Sequence, residues 1–190
     1  MKPKFFAASC AIVFIAGCDS PTPPSITAAE FQAAETEFNR INNLSTAGTL
    51  PTGTVTYKGY YGGRVTGDEF GTVLGDMEMI VDFGTHQIGG SVSNINFVDD
   101  TDTPTQLLGG SLTISGTQSN GNLSGTATGT LSAVGEESVR GSASVSSSFS
   151  GTVRDDKGVG DAIAGTATGS ASGDFDLSFG SAGFAGTKSP

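Results

Sequence analysis

The chain has 190 residues, with 9 Lys and Arg against 19 Asp and Glu for a net charge of −10, and it holds 29 glycines and no tryptophan. That length suits one main domain. The acidic balance argues against nucleic acid and anionic lipid as partners, because phosphates are repelled.

Lys2 and Lys4 precede the apolar run FFAASCAIVFIAG, thirteen residues from Phe5 to Gly17. A bilayer-spanning helix needs about 20 apolar residues, so this run is too short to cross and has the length and flanks of a secretory h-region. It ends in Ile15-Ala16-Gly17-Cys18. The pattern resembles the bacterial lipobox, which implies that residues 1–17 are a lipoprotein signal peptide and that Cys18 becomes the acylated first residue, carrying chains of the palmitate type. Loss of Lys2 and Lys4 with the leader takes the net charge from −10 to −12. Cys10 leaves with it, so Cys18 is the only remaining cysteine and no intramolecular disulfide can form. Acylation removes an otherwise oxidisable thiol, and each buried methylene strengthens membrane anchoring by about 0.8 kcal/mol.

Residues 18–26 are the lipidated cysteine and its tether: DSPTPPS (19–25), polar and proline-rich, reads as a semi-extended link between lipid and domain. Asp19 resembles the enterobacterial signal for retention in the inner membrane. An outer-membrane site, with the cell surface as one of its two faces, is the first expectation; the periplasmic face of the inner membrane is the second.

Residues 27–44 predict a helix. Thr27 and Glu30 stand at capping-box spacing, with Ile26 and Phe31 placed as a hydrophobic staple. Phe31, Ala34, Phe38 and Ile41 form one apolar stripe at helical period. Such a helix either binds a partner or docks on its own domain as a lid, and the second is favoured.

From residue 51 to 190 the period becomes two. In NLSGTATGTLSA (122–133) the odd positions are Leu, Gly and Ala, and the even ones Asn, Ser and Thr. Eight such runs occur, near 52–60, 75–83, 88–97, 106–116, 121–132, 141–153, 161–171 and 175–186, with Gly-rich turns between several of them. Strands with one wet and one buried face, joined by short connections, suit antiparallel pairing. The expected fold is therefore all-β: a soluble, Gly-rich, eight-stranded antiparallel up-and-down barrel preceded by one short amphipathic helix. The outward face is rich in Ser, Thr, Asp and Asn, not the apolar band of a membrane-spanning barrel. The inward Tyr57, Met77, Met79, Phe83, Leu112, Leu123, Phe149, Phe175, Leu177 and Phe179 are enough to fill such an interior.

The segments LPTGTVTYKGYYGG, LGDMEMIVDFGTHQIGGSVSNI and LGGSLTISGT, with the tail FSGT, DAIAGTATGSASGDF and GFAGTK, carry a resemblance over roughly residues 45–188. In that order they resemble the barrel domains of transferrin-binding protein B-type lipoproteins. The resemblance implies a surface or periplasmic lipoprotein with an eight-stranded barrel beside a small helical element. In the wider group, which includes factor H binding protein-like molecules, barrels bind host proteins through loops and strand faces. Here there is one barrel and one helix rather than two lobes, and no ligand-contacting residue matches.

Chemistry is sparse. His86, the only histidine, falls in the turn FGTHQIGG, with no second His and no mature-domain thiol to complete a zinc site. Asp99, Asp100 and Asp102, and Asp155-Asp156, supply hard oxygens but lack the glycine and distal Glu of an EF-hand. No catalytic residue, metal or cofactor is expected. Tyr60, Tyr61 and Arg64, in a segment read as a loop from 60 to 73, are the candidate partner contacts, being types favoured in interface hot spots; a second loop is 98–105. The expected function is a lipid-anchored, non-catalytic, monomeric module binding a host or environmental protein. A small-ligand or lipid carrier in the periplasm and a structural envelope lipoprotein are the alternatives.

Overall fold

The structure is a computed structural model that describes residues 20–134 and 139–190. Cys18, Asp19 and the signal peptide lie outside the described residues. One helix, α1 (Ala28–Asn42), precedes eight strands: β1 (Thr54–Gly67), β2 (Gly71–Asp82), β3 (Gln87–Val98), β4 (Pro104–Ser119), β5 (Asn122–Ala133), β6 (Gly141–Arg154), β7 (Ala162–Gly173) and β8 (Leu177–Lys188). Each strand pairs antiparallel with the next, and β8 returns to β1, closing a barrel in simple up-and-down order.

Closure leaves no sheet edge, the liability that an open meander would carry. The strands between 104 and 154 keep the clean alternation of the sequence: Leu123, Ala127 and Leu131 are buried while the intervening Ser and Thr residues are exposed. Between β4 and β5 the turn is Asn120-Gly121, both with positive φ (49° and 80°), the left-handed pair of a two-residue hairpin. In β8 one extra residue at Gly180 breaks register with both β1 and β7. This bulge switches parity, so Phe179 faces inward before it and Phe184 faces inward after it.

Inside, aromatic rings sit where the wall has no side chains. Gly151, Gly165 and Phe184 are cross-strand partners on β6, β7 and β8, and Gly116, Gly125 and Phe149 repeat the pattern on β4, β5 and β6. A Cβ on Gly151 or Gly165 would lie 2.6 Å from the Phe184 ring, and one on Gly125 would lie 2.8 Å from that of Phe149. The two rings then meet edge to face at 5.4 Å, and Tyr61 stacks on Phe184 at 6.5 Å.

The lower end, with turns 83–86, 120–121 and 155–161, is closed by the chain between α1 and β1. Ala47 N–H donates to the Val153 carbonyl (3.0 Å), Thr46 bridges Arg154, and Leu50 and Pro51 seat against Gly121 and Gly160. Tyr57 completes the closure, its hydroxyl donating to the buried Gly160 carbonyl at 2.7 Å. Turns 68–70, 99–103 and 174–176 form the upper end.

Two expectations change. The segment 60–73 is not a loop: β1 and β2 run through its glycines and leave only residues 68–70 as the turn. The tether is not free along its length either. Leu107 N–H donates to the Thr22 carbonyl (2.9 Å), and Asn96 Oδ1 accepts from Ser25 N–H (2.8 Å), so the chain is fastened to β3 and β4 from Thr22 onward. Asn96 points outward from β3 and is consequently buried, at 1% exposure.

Candidate functional site

The wall beneath α1 is where the barrel departs from a plain hydroxyl-covered surface. The helix starts as the sequence predicts. Thr27 Oγ1 accepts from Glu30 N–H (3.3 Å) while Glu30 Oε2 accepts from Thr27 N–H (2.8 Å), which holds the Glu30 carboxyl below its ordinary value. Phe31, Ala34 and Ile41 are buried and Phe38 is half-buried, so the stripe is a docking face on β7 and β8. Ile41 packs with Ala162, Ala164 and Ala185, which are outward residues reduced to methyl groups. Phe38 lies over Gly183, where an added Cβ would come within 2.8 Å of its ring. Small wall residues let the helix approach closely. At its C-terminus, Arg154 Nη1 donates to the Asn42 and Leu44 carbonyls (3.1 and 2.6 Å), and Arg40 donates to both Glu37 and Asp156.

Because the helix is narrow and the wall curves away, a groove remains on each flank. One, of about 480 Å³, runs between Phe31, Glu35 and Phe38 on the helix and Arg64, Leu74 and Gly183 on the wall. The other, of about 520 Å³, lies between Phe38 and Ile41 and the strand residues Lys58, Tyr60 and Asp76. In the first, partial burial and the nearby Asp102 raise the Glu35 carboxyl above its ordinary value, and Arg64 partly opposes them. In the second, burial chiefly, helped by Asp76, Glu37 and Glu30, raises the Tyr60 phenol. Both grooves thus pair aromatic and aliphatic surface with a few charged groups at the rim.

The three candidate contact residues separate. Tyr60 and Arg64 both point outward from β1, four residues apart, and fall on opposite flanks of α1. Tyr61 points into the barrel and is only 6% exposed. Its hydroxyl lies 2.7 Å from Ser147 Oγ, which in turn donates to the Thr168 carbonyl (3.2 Å). Burial raises its phenol, and it presents nothing to a partner outside. Beside this pair the interior keeps a void of about 20 Å³, lined by Val73, Val92, Leu112 and Phe179 among others. That holds about one water molecule.

His86 lies in the exposed β2–β3 turn with φ +63°, its Nδ1 2.8 Å from Gln118 Nε2. The acidic loops are occupied by their own backbone. Asp99 Oδ1 accepts from the Thr101 and Thr103 N–H groups, and Asp155 accepts from Gly160 and Gly48 N–H. Among the described residues no three His, Cys, Asp or Glu side chains are grouped to hold a metal ion.

Sequence reasoning did not find the grooves, although the Phe31–Ile41 stripe and the small residues of β7 and β8 were both visible. A comparison with protein-family models, curated proteins and solved structures returns no match.

Proposed function

We propose that this chain is a bacterial envelope lipoprotein, anchored through acyl chains on Cys18, whose barrel is a non-catalytic binding module for a macromolecular partner met on its outer surface. The observation that carries the reading is the filled interior: a void of about 20 Å³ admits no acyl chain or comparable ligand. What the barrel offers in its place is the pair of grooves beside α1, bordered by Tyr60 and Arg64. The lipobox supports the anchor. The closed eight-stranded barrel with one helix beside it is the arrangement that the resemblance to transferrin-binding protein B-type barrels implies, and supports a binding role for the barrel's outer surface.

A photo-crosslinking residue placed at Tyr60 or Arg64 in intact cells tests the proposal, with Thr128 on the helix-free wall as control. Discrete adducts at the first two positions, and none at Thr128, are expected. No adduct at either flank, together with stoichiometric lipid in the purified protein, contradicts it in favour of a carrier.

A further inference from the structure

The chain that leads to Cys18 leaves the barrel near its upper end. Thr22 is bonded to Leu107, three residues into β4, and Ser25 to Asn96, two residues before the end of β3. From Thr22 back to Cys18 there are four residues, which span at most about 14 Å when fully extended. The lower end of the same strand, at Ser119, lies twelve residues beyond Leu107, roughly 40 Å along the strand. A lipid-held Cys18 can therefore bring the upper end to a bilayer but not the lower one, unless the barrel lies on its side.

The upper end also carries exposed apolar side chains. Phe70, in the β1–β2 turn, is 66% exposed, and Val134, just after β5, is 47% exposed. Neither belongs to the core, and both point away from it at the end nearest the anchor. Acidic residues share this end, among them Asp68, Asp100, Asp102, Asp174 and Asp176. They disfavour close approach to anionic lipid.

We infer that the upper end is the face apposed to the bilayer, with Phe70 and Val134 meeting the headgroup region, so that the lower end and the groove beside Lys58, Tyr60 and Asp76 are left for other partners. This inference rests on the Cys18 anchor proposed above. It converts a short leash into an orientation: the membrane does not need to attract the barrel, because the covalent chain fixes which end is near.

The absence of tryptophan makes the test direct. Phe70→Trp and Val134→Trp report on the upper end, and Val159→Trp, at a position 59% exposed in the β6–β7 turn, reports on the lower end. The full-length acylated variants are reconstituted into phosphatidylcholine vesicles whose acyl chains carry bromine, a short-range quencher, and the mass of the Cys18 peptide is measured on the same preparation. The expected result is quenching of the two upper reporters about twofold or more above that of Val159→Trp, since interfacial side chains sit about 5–10 Å deep. Replacing a third of the lipid with phosphatidylglycerol is expected to weaken that quenching, through the acidic rim. Equal quenching at both ends means the barrel lies on its side and overturns the inference. So does no quenching at any position in acylated protein. If Cys18 carries no acyl mass, the anchor itself fails and the orientation falls with it.

Discussion

Gly165→Ala tests the claim that the inner wall is shaped to seat aromatic rings. The new Cβ would press against the Ser150 carbonyl oxygen, lie 2.5 Å from Gly151 Cα and lie 2.6 Å from Phe184 Cε1. Two of these three neighbours are backbone of the paired strand and cannot rotate away. Overpacking a tight interior costs about 1–3 kcal/mol, and the immovable neighbours place this substitution near about 3 kcal/mol. For a chain of this size that lowers Tm by roughly 6–12 °C. Gly89→Ala is the matched control: it is the same chemical change in β3, with nothing within 4 Å of the added Cβ and no positive φ. It should be neutral or stabilise by up to about 1 kcal/mol, through reduced freedom of the unfolded chain. Thermal unfolding followed by circular dichroism reads both. Equal shifts in the two variants would refute the seating argument, because propensity alone would then explain them.

Three other outcomes are expected. Tyr57→Phe leaves the Gly160 carbonyl buried without its donor and should cost about 1–2 kcal/mol in urea unfolding; an unchanged midpoint would mean that water replaces the bond. Ile41→Ala removes the side chain that holds α1 to Ala162, Ala164 and Ala185, so trypsin cleavage after Arg40 should accelerate on the order of tenfold or more, with unchanged cleavage arguing that the helix is held elsewhere. Arg40 holds the Glu37 and Asp156 carboxyls below their ordinary values of 4.5 and 3.8. The folded state therefore binds fewer protons than the unfolded one, and this contribution is present above those values and lost as pH falls through the lowered ones. Arg40→Ala should therefore lower stability at neutral pH, only slightly because the pair is at the surface, and leave it unchanged once both carboxyls are protonated, so that the acid-side fall shrinks; a parallel loss at all pH values would point to packing instead.

The architecture was legible because most strands obey one rule. Between Pro104 and Arg154 polar and apolar positions alternate in long runs, and a barrel is what such strands make when none is left as an edge. The misread part was YYGGRVTGDEFG. Its glycines look like turn punctuation, yet Gly62 and Gly63 are in-strand sites where an added Cβ would run into the backbone of a neighbouring strand. Carrying the period from Tyr57 through Gly59 would have sent Tyr61 inward and Tyr60 and Arg64 outward, as found. The parity switch at Gly180 had no comparable signal, because a bulge is an extra residue in pairing rather than in composition. The fastening of Thr22 and Ser25 to the barrel was hidden for a similar reason. It uses a backbone carbonyl and one amide side chain, Asn96, which local pattern does not distinguish from a solvated strand residue.

The most direct test of the account is the mass of the N-terminal peptide released from the protein in isolated membranes. The account predicts a peptide beginning at Cys18 and carrying acyl chains on that residue. A peptide that retains residues before Cys18, or begins after it, or begins with an unmodified Cys18, would contradict the anchor on which the proposed role and orientation depend.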